Sequence, residues 1–106
     1  MDFLQGTLEM LILRTLVFGR RHGYGIAQSI RQTSQEALLI EAGSLYPALQ
    51  RLELQKLITA KWEISETGRR ARFYTLTAAG KRKLSTTMSR WDDFVTAIGR
   101  VLEQEG

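Results

Sequence analysis

Gln50 and Arg51 are adjacent in Gly43-Ser44-Leu45-Tyr46-Pro47-Ala48-Leu49-Gln50-Arg51-Leu52-Glu53, and Arg69, Arg70 and Arg72 close the run Ser65-Glu66-Thr67-Gly68-Arg69-Arg70-Ala71-Arg72. Side chains of these types recognise rather than transform. A carboxamide offers a donor and an acceptor to an adenine edge, and a guanidinium can fork onto guanine or onto a phosphate, depending on its depth in a groove. Arg51 is open to either use. The hydroxyls of Ser44, Tyr24 and Tyr46 suit phosphate oxygens, contacts that position a protein without carrying sequence information; capping or aromatic packing would occupy the same groups. Arg69, Arg70 and Arg72 suit flanking phosphates or a narrowed minor groove, which rewards arginine.

Groups for bond-making chemistry do not assemble. The chain has no cysteine, hence no disulfide, thiolate ligand or thiol nucleophile, and His22 is its one histidine, so no metal site is expected. Asp92 and Asp93 fall in a helical pattern, where neighbours point about 100° apart and cannot converge on one substrate. Residues 19–25 are glycine-rich but lack a Gly-Lys-Ser/Thr ending, and Gly80-Lys81 lacks the upstream glycine of a phosphate loop. His22, set among turn glycines, is expected to make a local contact. No enzymatic activity and no cofactor are expected.

Charge supports recognition of phosphate. Between Ser65 and Lys83 lie Arg69, Arg70, Arg72, Lys81, Arg82 and Lys83 against Glu66 alone, a net +5 in a chain whose total is +4, so the remainder is net −1. A basic excess confined to one stretch is a directed feature, although a solvated charge run would look the same by composition. Lys81, Arg82 and Lys83 fall where the macrodipole of a following helix disfavours cations, which suits a solvated face.

The elements that must hold these groups are read from periodicity. With 106 residues, 43% hydrophobic and 25% charged, one folded domain is expected. No apolar run approaches the ~20 residues needed to cross a bilayer, and no export signature is present, so a soluble cytoplasmic protein is expected. Leu8, Leu11, Ile12, Leu13 and Leu16 predict a buried helix over residues 6–18, ended by Gly19. Ile26, Ala27 and Ile30 predict a short second helix ending near Thr33, and residues 37–40 read as a single edge strand. Ser44 is expected to cap or open a third helix, with Pro47 in its first turn, Leu45, Leu49 and Leu52 inward, and Tyr46, Pro47, Gln50 and Arg51 outward. Ile58, Ala60, Trp62 and Ile64 alternate with polar residues as a half-buried strand, and residues 73–76 return as its partner, leaving the arginines at or beside the hairpin tip. Helix, helix, helix and hairpin make a winged helix-turn-helix, whose second motif helix enters the DNA major groove.

After Thr77, a candidate N-cap, Leu84, Met88, Trp91, Val95, Ile98 and Leu102 recur at spacings of 4, 3, 4, 3 and 4, widened by Phe94 and Val101. That seam needs a partner. A second copy of the chain is the economical one, since a helix of this length cannot readily bury its whole stripe on so small a domain. The fold class expected is mainly α with a small β-hairpin (α+β): a winged helix-turn-helix domain over residues 1–77, continuous with a C-terminal dimerisation helix over residues 78–106.

Four segments in order, Gly6-Thr7-Leu8-Glu9-Met10-Leu11-Ile12-Leu13, His22-Gly23-Tyr24-Gly25-Ile26, residues 43–53 and Arg72-Phe73-Tyr74-Thr75-Leu76-Thr77-Ala78-Ala79-Gly80, resemble the PadR family of bacterial transcriptional regulators. The resemblance runs from about Leu4 to Leu102. It implies a dimeric winged-helix repressor of the shorter class with one C-terminal helix, and places Tyr24, Tyr46 and the Leu45-Tyr46-Pro47 turn near the DNA backbone. It also implies control of detoxification, efflux or stress genes, and a response to aromatic or hydrophobic small molecules.

The functional expectation is a homodimeric repressor that binds a pseudo-palindromic operator in double-stranded DNA. Trp91 and Met88 are the candidates to contact a flat hydrophobic or aromatic effector, with plain core packing as the alternative use of Trp91. The rival reading is a winged-helix protein-interaction module in which the same helix and wing engage an acidic partner.

Overall fold

The computed structural model describes residues 3–105, with side chains from residue 6 onward, so residues 1–2 and 106 of the two expected units lie outside the described residues. The elements run α1 (Phe3–Leu16), β1 (Arg21–His22), α2 (Gly23–Thr33), α3 (Ala42–Leu54), β2 (Ile58–Ile64), β3 (Arg70–Leu76) and α4 (Ala78–Leu102). The fold is α+β, with the antiparallel sheet order β1-β3-β2.

Apolar spacing along each helix assembles one core. Ile12, Leu13 and Leu16 of α1, Ile26 and Ile30 of α2, and Leu45, Ala48, Leu49 and Leu52 of α3 are buried together with Ile58 and Tyr74 of the sheet. Each large aliphatic side chain so buried contributes about 1.5–3 kcal/mol before entropy is counted. The helix α1 stops two residues earlier than its periodicity predicts. The N–H groups of Val17, Phe18 and Gly19 tighten onto the carbonyls of Arg14, Thr15 and Leu16, and Gly19 turns the chain at a φ of 130°.

That reversal carries Arg21–His22 alongside β3, pairing Arg21 with Tyr74 and His22 with Phe73. The edge strand is therefore β1, and residues 37–40 form no strand. The Leu38 N–H is taken by Ser34 Oγ at 3.0 Å, and Leu38 and Leu39 are exposed. The apolar run there is part of the connection between α2 and α3.

The third helix begins at Ala42 with Glu41 as its N-cap, and no side chain caps it. Ser44 is thus inside the first turn. Pro47 falls in the second turn, where its missing N–H leaves the Gly43 carbonyl without its intrahelical donor. Gly43 is exposed and open, so water can serve that carbonyl.

The hairpin pairs Ile58 with Leu76 through Ile64 with Arg70, so β3 starts three residues before the expected 73–76 and holds Arg70 and Arg72 within the strand, leaving Arg69 in the turn. Its turn closes through Ser65 N–H to Arg69 O at 2.7 Å and Gly68 N–H to Ser65 O at 2.9 Å, and Gly68 adopts a φ of 80°, where glycine is favoured. Alternation holds only over the inner half of β2, where Ile58 is buried and Ala60 half-buried; farther out it reverses, with Trp62 54% and Ile64 68% exposed and Glu63 between them half-buried. The outer half of the hairpin overhangs the core.

Thr77 caps α4, its Oγ1 accepting from Gly80 N–H at 3.0 Å and sharing its one proton between the Lys56 and Leu57 carbonyls, 2.9 and 3.0 Å away. Gly80 lets the helix approach the start of β2, since a Cβ there would lie 2.1 Å from Leu57 O. Leu84, expected on the seam, is instead buried in this chain's own core, because the first turns of α4 lie against the domain. Beyond them Met88, Phe94, Val95, Ile98, Val101 and Leu102 are exposed, while Trp91 is half-buried against the core.

Candidate nucleic-acid interface

The start of α2 is built by His22. Its Nδ1 accepts from Gly25 N–H at 3.0 Å, satisfying one of the amides that a helix start leaves unpaired, and its ring meets Phe73 edge-on with centroids 5.2 Å apart. Gly23 lies under the Tyr46 ring, where a Cβ would be 2.9 Å from both Cε1 and the hydroxyl oxygen. This close approach fixes α3 against α2 and leaves Tyr46 half exposed. Tyr24, on the first turn of α2, is 69% exposed.

Along α3, Leu45, Ala48, Leu49 and Leu52 face the core, and Ser44, Tyr46, Pro47 and Gln50 are exposed. Arg51 stands at the edge of this outer face, with its Nε donating to Glu9 Oε1 of α1 at 3.0 Å.

The three wing arginines occupy different environments. Arg69 is exposed at the turn. Arg70 stacks over Trp62, with Cζ 5.1 Å from the indole centroid. Arg72 Nη2 donates to Glu53 Oε2 at 2.6 Å, tying the hairpin to the end of α3. Burial raises the Tyr74 hydroxyl pKa above the ordinary value of 10.0; the neighbouring Arg72 charge acts the other way, and Glu53 and Tyr46 reinforce the rise.

Together α2, α3 and the hairpin border an open groove of about 850 Å³, lined by Tyr24, Tyr46, Arg69, Arg70 and Arg72. Residues not singled out from sequence also line it. Arg20, Arg21, Gln28, Gln32 and Trp62 all face this space. The basic pair Arg20-Arg21 carried a signal, but it sat in what read as a simple turn. Arg20 is held by an ion pair with Glu63 and by stacking on Phe73 at 5.0 Å.

A second cavity, of about 450 Å³, lies between α1, the end of α3 and α4. Met10, Leu13, Leu52, Trp91 and Phe94 give it apolar walls, with Lys83 and Arg90 at its border. Trp91 lines this space and Met88 does not. Among the described residues, no His, Cys, Asp or Glu cluster could hold a metal ion, and no helix is long and apolar enough to cross a membrane.

Comparison with known proteins agrees with this architecture. Residues 12–86 match the transcriptional regulator PadR-like family. An uncharacterised protein of Lysinibacillus sphaericus is 32% identical over 103 residues, covering 96% of this chain and 94% of that one. A transcriptional regulator structure from Clostridium thermocellum superposes with a TM-score of 0.84 at 28% identity, covering 94% of this chain and 97% of that one. A PadR family transcriptional regulator from Eggerthella lenta gives a TM-score of 0.81 at 31% identity, covering 96% of this chain and 88% of the other. The family match spans more than half of the sequence and coincides with the winged-helix elements, and on that basis the chain belongs to the PadR-like family of transcriptional regulators.

Proposed function

We propose that two copies of this chain act as a cytoplasmic, sequence-specific repressor at a pseudo-palindromic operator. The observation that carries the reading is the exposed outer face of α3 beside an arginine-lined and tyrosine-lined groove. In this reading Gln50 contacts a base edge in the major groove, Ser44, Tyr24, Tyr46 and the Pro47 turn seat the backbone, and Arg69, Arg70 and Arg72 meet flanking phosphates or the minor groove. Arg51 spends its Nε on Glu9 and keeps its terminal nitrogens for a phosphate.

Dimerisation runs through the outer part of α4, a continuous exposed apolar face of Met88, Val95, Ile98 and Leu102, with Phe94 and Val101 alongside. Leu84 supports that helix from within its own domain. Pairing the helices sets the two α3 faces about one DNA turn apart, in successive major grooves. A hydrophobic or aromatic effector seated against Trp91, with Met88 nearby on the same helix, would favour one pairing angle over another and so alter operator affinity.

Selection of bound duplexes from a random pool tests the core of this reading, with sedimentation equilibrium reporting the dimer. Enrichment of a two-fold-related sequence by a dimeric species is expected. Monomer alone at micromolar concentration would remove the paired-helix arrangement. Equal retention of random DNA and of an acidic polypeptide would favour the rival protein-interaction module.

A further inference from the structure

We infer that Trp62 is a positioning residue that holds the Arg70 guanidinium ready for a minor groove, making the wing a reader of A·T-rich flanks beside each half-site. The inference rests on the DNA-binding reading above and adds a specificity determinant to it. Strand register puts Trp62, Ile64, Arg70 and Arg72 on one face of the hairpin, continuing outward from the inner rung of Ala60 and Tyr74. There the core has ended. Trp62 nonetheless keeps a large aromatic surface 54% exposed, and the group it engages is Arg70, its diagonal cross-strand neighbour, 5.1 Å from the ring centroid.

The other arginines near this face are spent differently. Arg72 directs Nη2 to Glu53, and Arg20 is paired with Glu63 and stacked on Phe73. No hydrogen bond or ion pair among the described residues engages the Arg70 side chain. A guanidinium held over an aromatic ring by cation–π attraction makes no hydrogen bond to it, so its five N–H donors stay available. It also restricts, before binding, a side chain whose ordering would otherwise oppose association. The groove that holds Trp62 and Arg70 is the one that holds Tyr24 and Tyr46. A pre-ordered cation at the tip of a narrow hairpin fits a narrow minor groove, where A·T-rich sequence concentrates negative potential. Flanking sequence would then be read through groove width rather than through base edges.

The test uses the full chain and a duplex recovered by selection on the wild type, rebuilt with A·T, G·C or inosine·C pairs under the wing. Inosine lacks the guanine 2-amino group that projects into the minor groove. Wild-type affinity should fall about two- to fivefold per wing on G·C flanks, the range that an exposed cation–π contact can bias, and should recover on inosine·C flanks. Trp62→Ala should lose this flank ratio while keeping its preference for the central sequence, and Trp62→Tyr should restore most of the ratio. Arg70→Lys keeps the charge but not the planar guanidinium, so it should also flatten the ratio, with the salt dependence of binding unchanged. A wild-type flank ratio in Trp62→Ala, or inosine·C behaving as G·C, overturns the inference alone. Failure of the wild type to enrich any duplex would overturn the DNA-binding reading beneath it.

Discussion

Arg51 Nε donates to Glu9 Oε1 across 3.0 Å, joining α3 to α1 through residues 42 positions apart. Gln50, its neighbour, is exposed, and among the described residues no side-chain hydrogen bond tethers it. The two residues should therefore respond differently to substitution. Gln50→Ala should relax base preference at one operator position by about 1–3 kcal/mol, read from affinities on a panel of single-base variants. Arg51→Ala should weaken all sequences evenly. Removing the pair should also cost stability, and a double-mutant cycle with Glu9→Gln should give a coupling of about 0.5–1 kcal/mol in urea unfolding.

That ion pair illustrates what the sequence concealed. The hairpin, the Thr77 cap and the length of α4 were legible, since alternation, capping and heptad spacing are local patterns. The edge strand was not. Two residues, Arg21–His22, are too few to show a period, and their pairing depends on a turn at Gly19 and a partner some fifty positions later. Leu84 has the same spacing as Met88, but Leu84 lies on the first turns of α4, where Gly80 lets the helix meet the domain, and Met88 lies beyond them. The wing arginines were visible as charge. Their division into a stacked Arg70 and a carboxylate-bound Arg72 depends on which strand face each occupies and on the end of α3 lying within reach.

Gly80 should tolerate no side chain. A Cβ would meet Leu57 O at 2.1 Å and Leu76 Cδ1 at 2.6 Å, and the first of these is backbone. Gly80→Ala should destabilise by about 3 kcal/mol, the upper end of ordinary overpacking, because the start of α4 must lift from the Leu57 backbone. Gly43 supplies the contrast. It is helical, exposed and open, so Gly43→Ala should raise stability by about 0.5–1 kcal/mol. Urea midpoints of the two variants moving in the same direction would refute this account of the junction.

Alkaline stability should report on Tyr74. Its pKa is raised in the folded state, first by burial, so above the ordinary value of 10.0 the unfolded chain releases this proton while the folded chain retains it. The unfolded state then binds fewer protons, and stability falls as pH rises from about 10 through the folded-state pKa. Below that window the contribution is fully present. Tyr74→Phe should lose less stability than wild type over the same interval, measured as unfolding free energy against pH. An identical slope in both proteins would place the alkaline loss elsewhere.

Arg72 and Glu53 allow a charge test of the wing that needs no operator sequence. Their separation of 2.6 Å sets a carboxylate beside one of the three arginines proposed to meet phosphate, so the local field there is partly cancelled. Arg69→Ala with Arg70→Ala should lower the slope of log affinity against log salt by about 0.9 for every phosphate no longer neutralised. Arg72→Ala should lower it less. Glu53→Gln should act in the opposite sense: it releases Arg72 from its carboxylate, and affinity for any duplex should rise at low salt and converge on wild type as salt increases. The expected order of affinity at low salt is Glu53→Gln, wild type, Arg72→Ala, then the Arg69 and Arg70 double variant. Should Glu53→Gln bind more weakly than wild type, the pair would be serving to aim Arg72 at the phosphate rather than to neutralise it, and the wing would need all three arginines held in place.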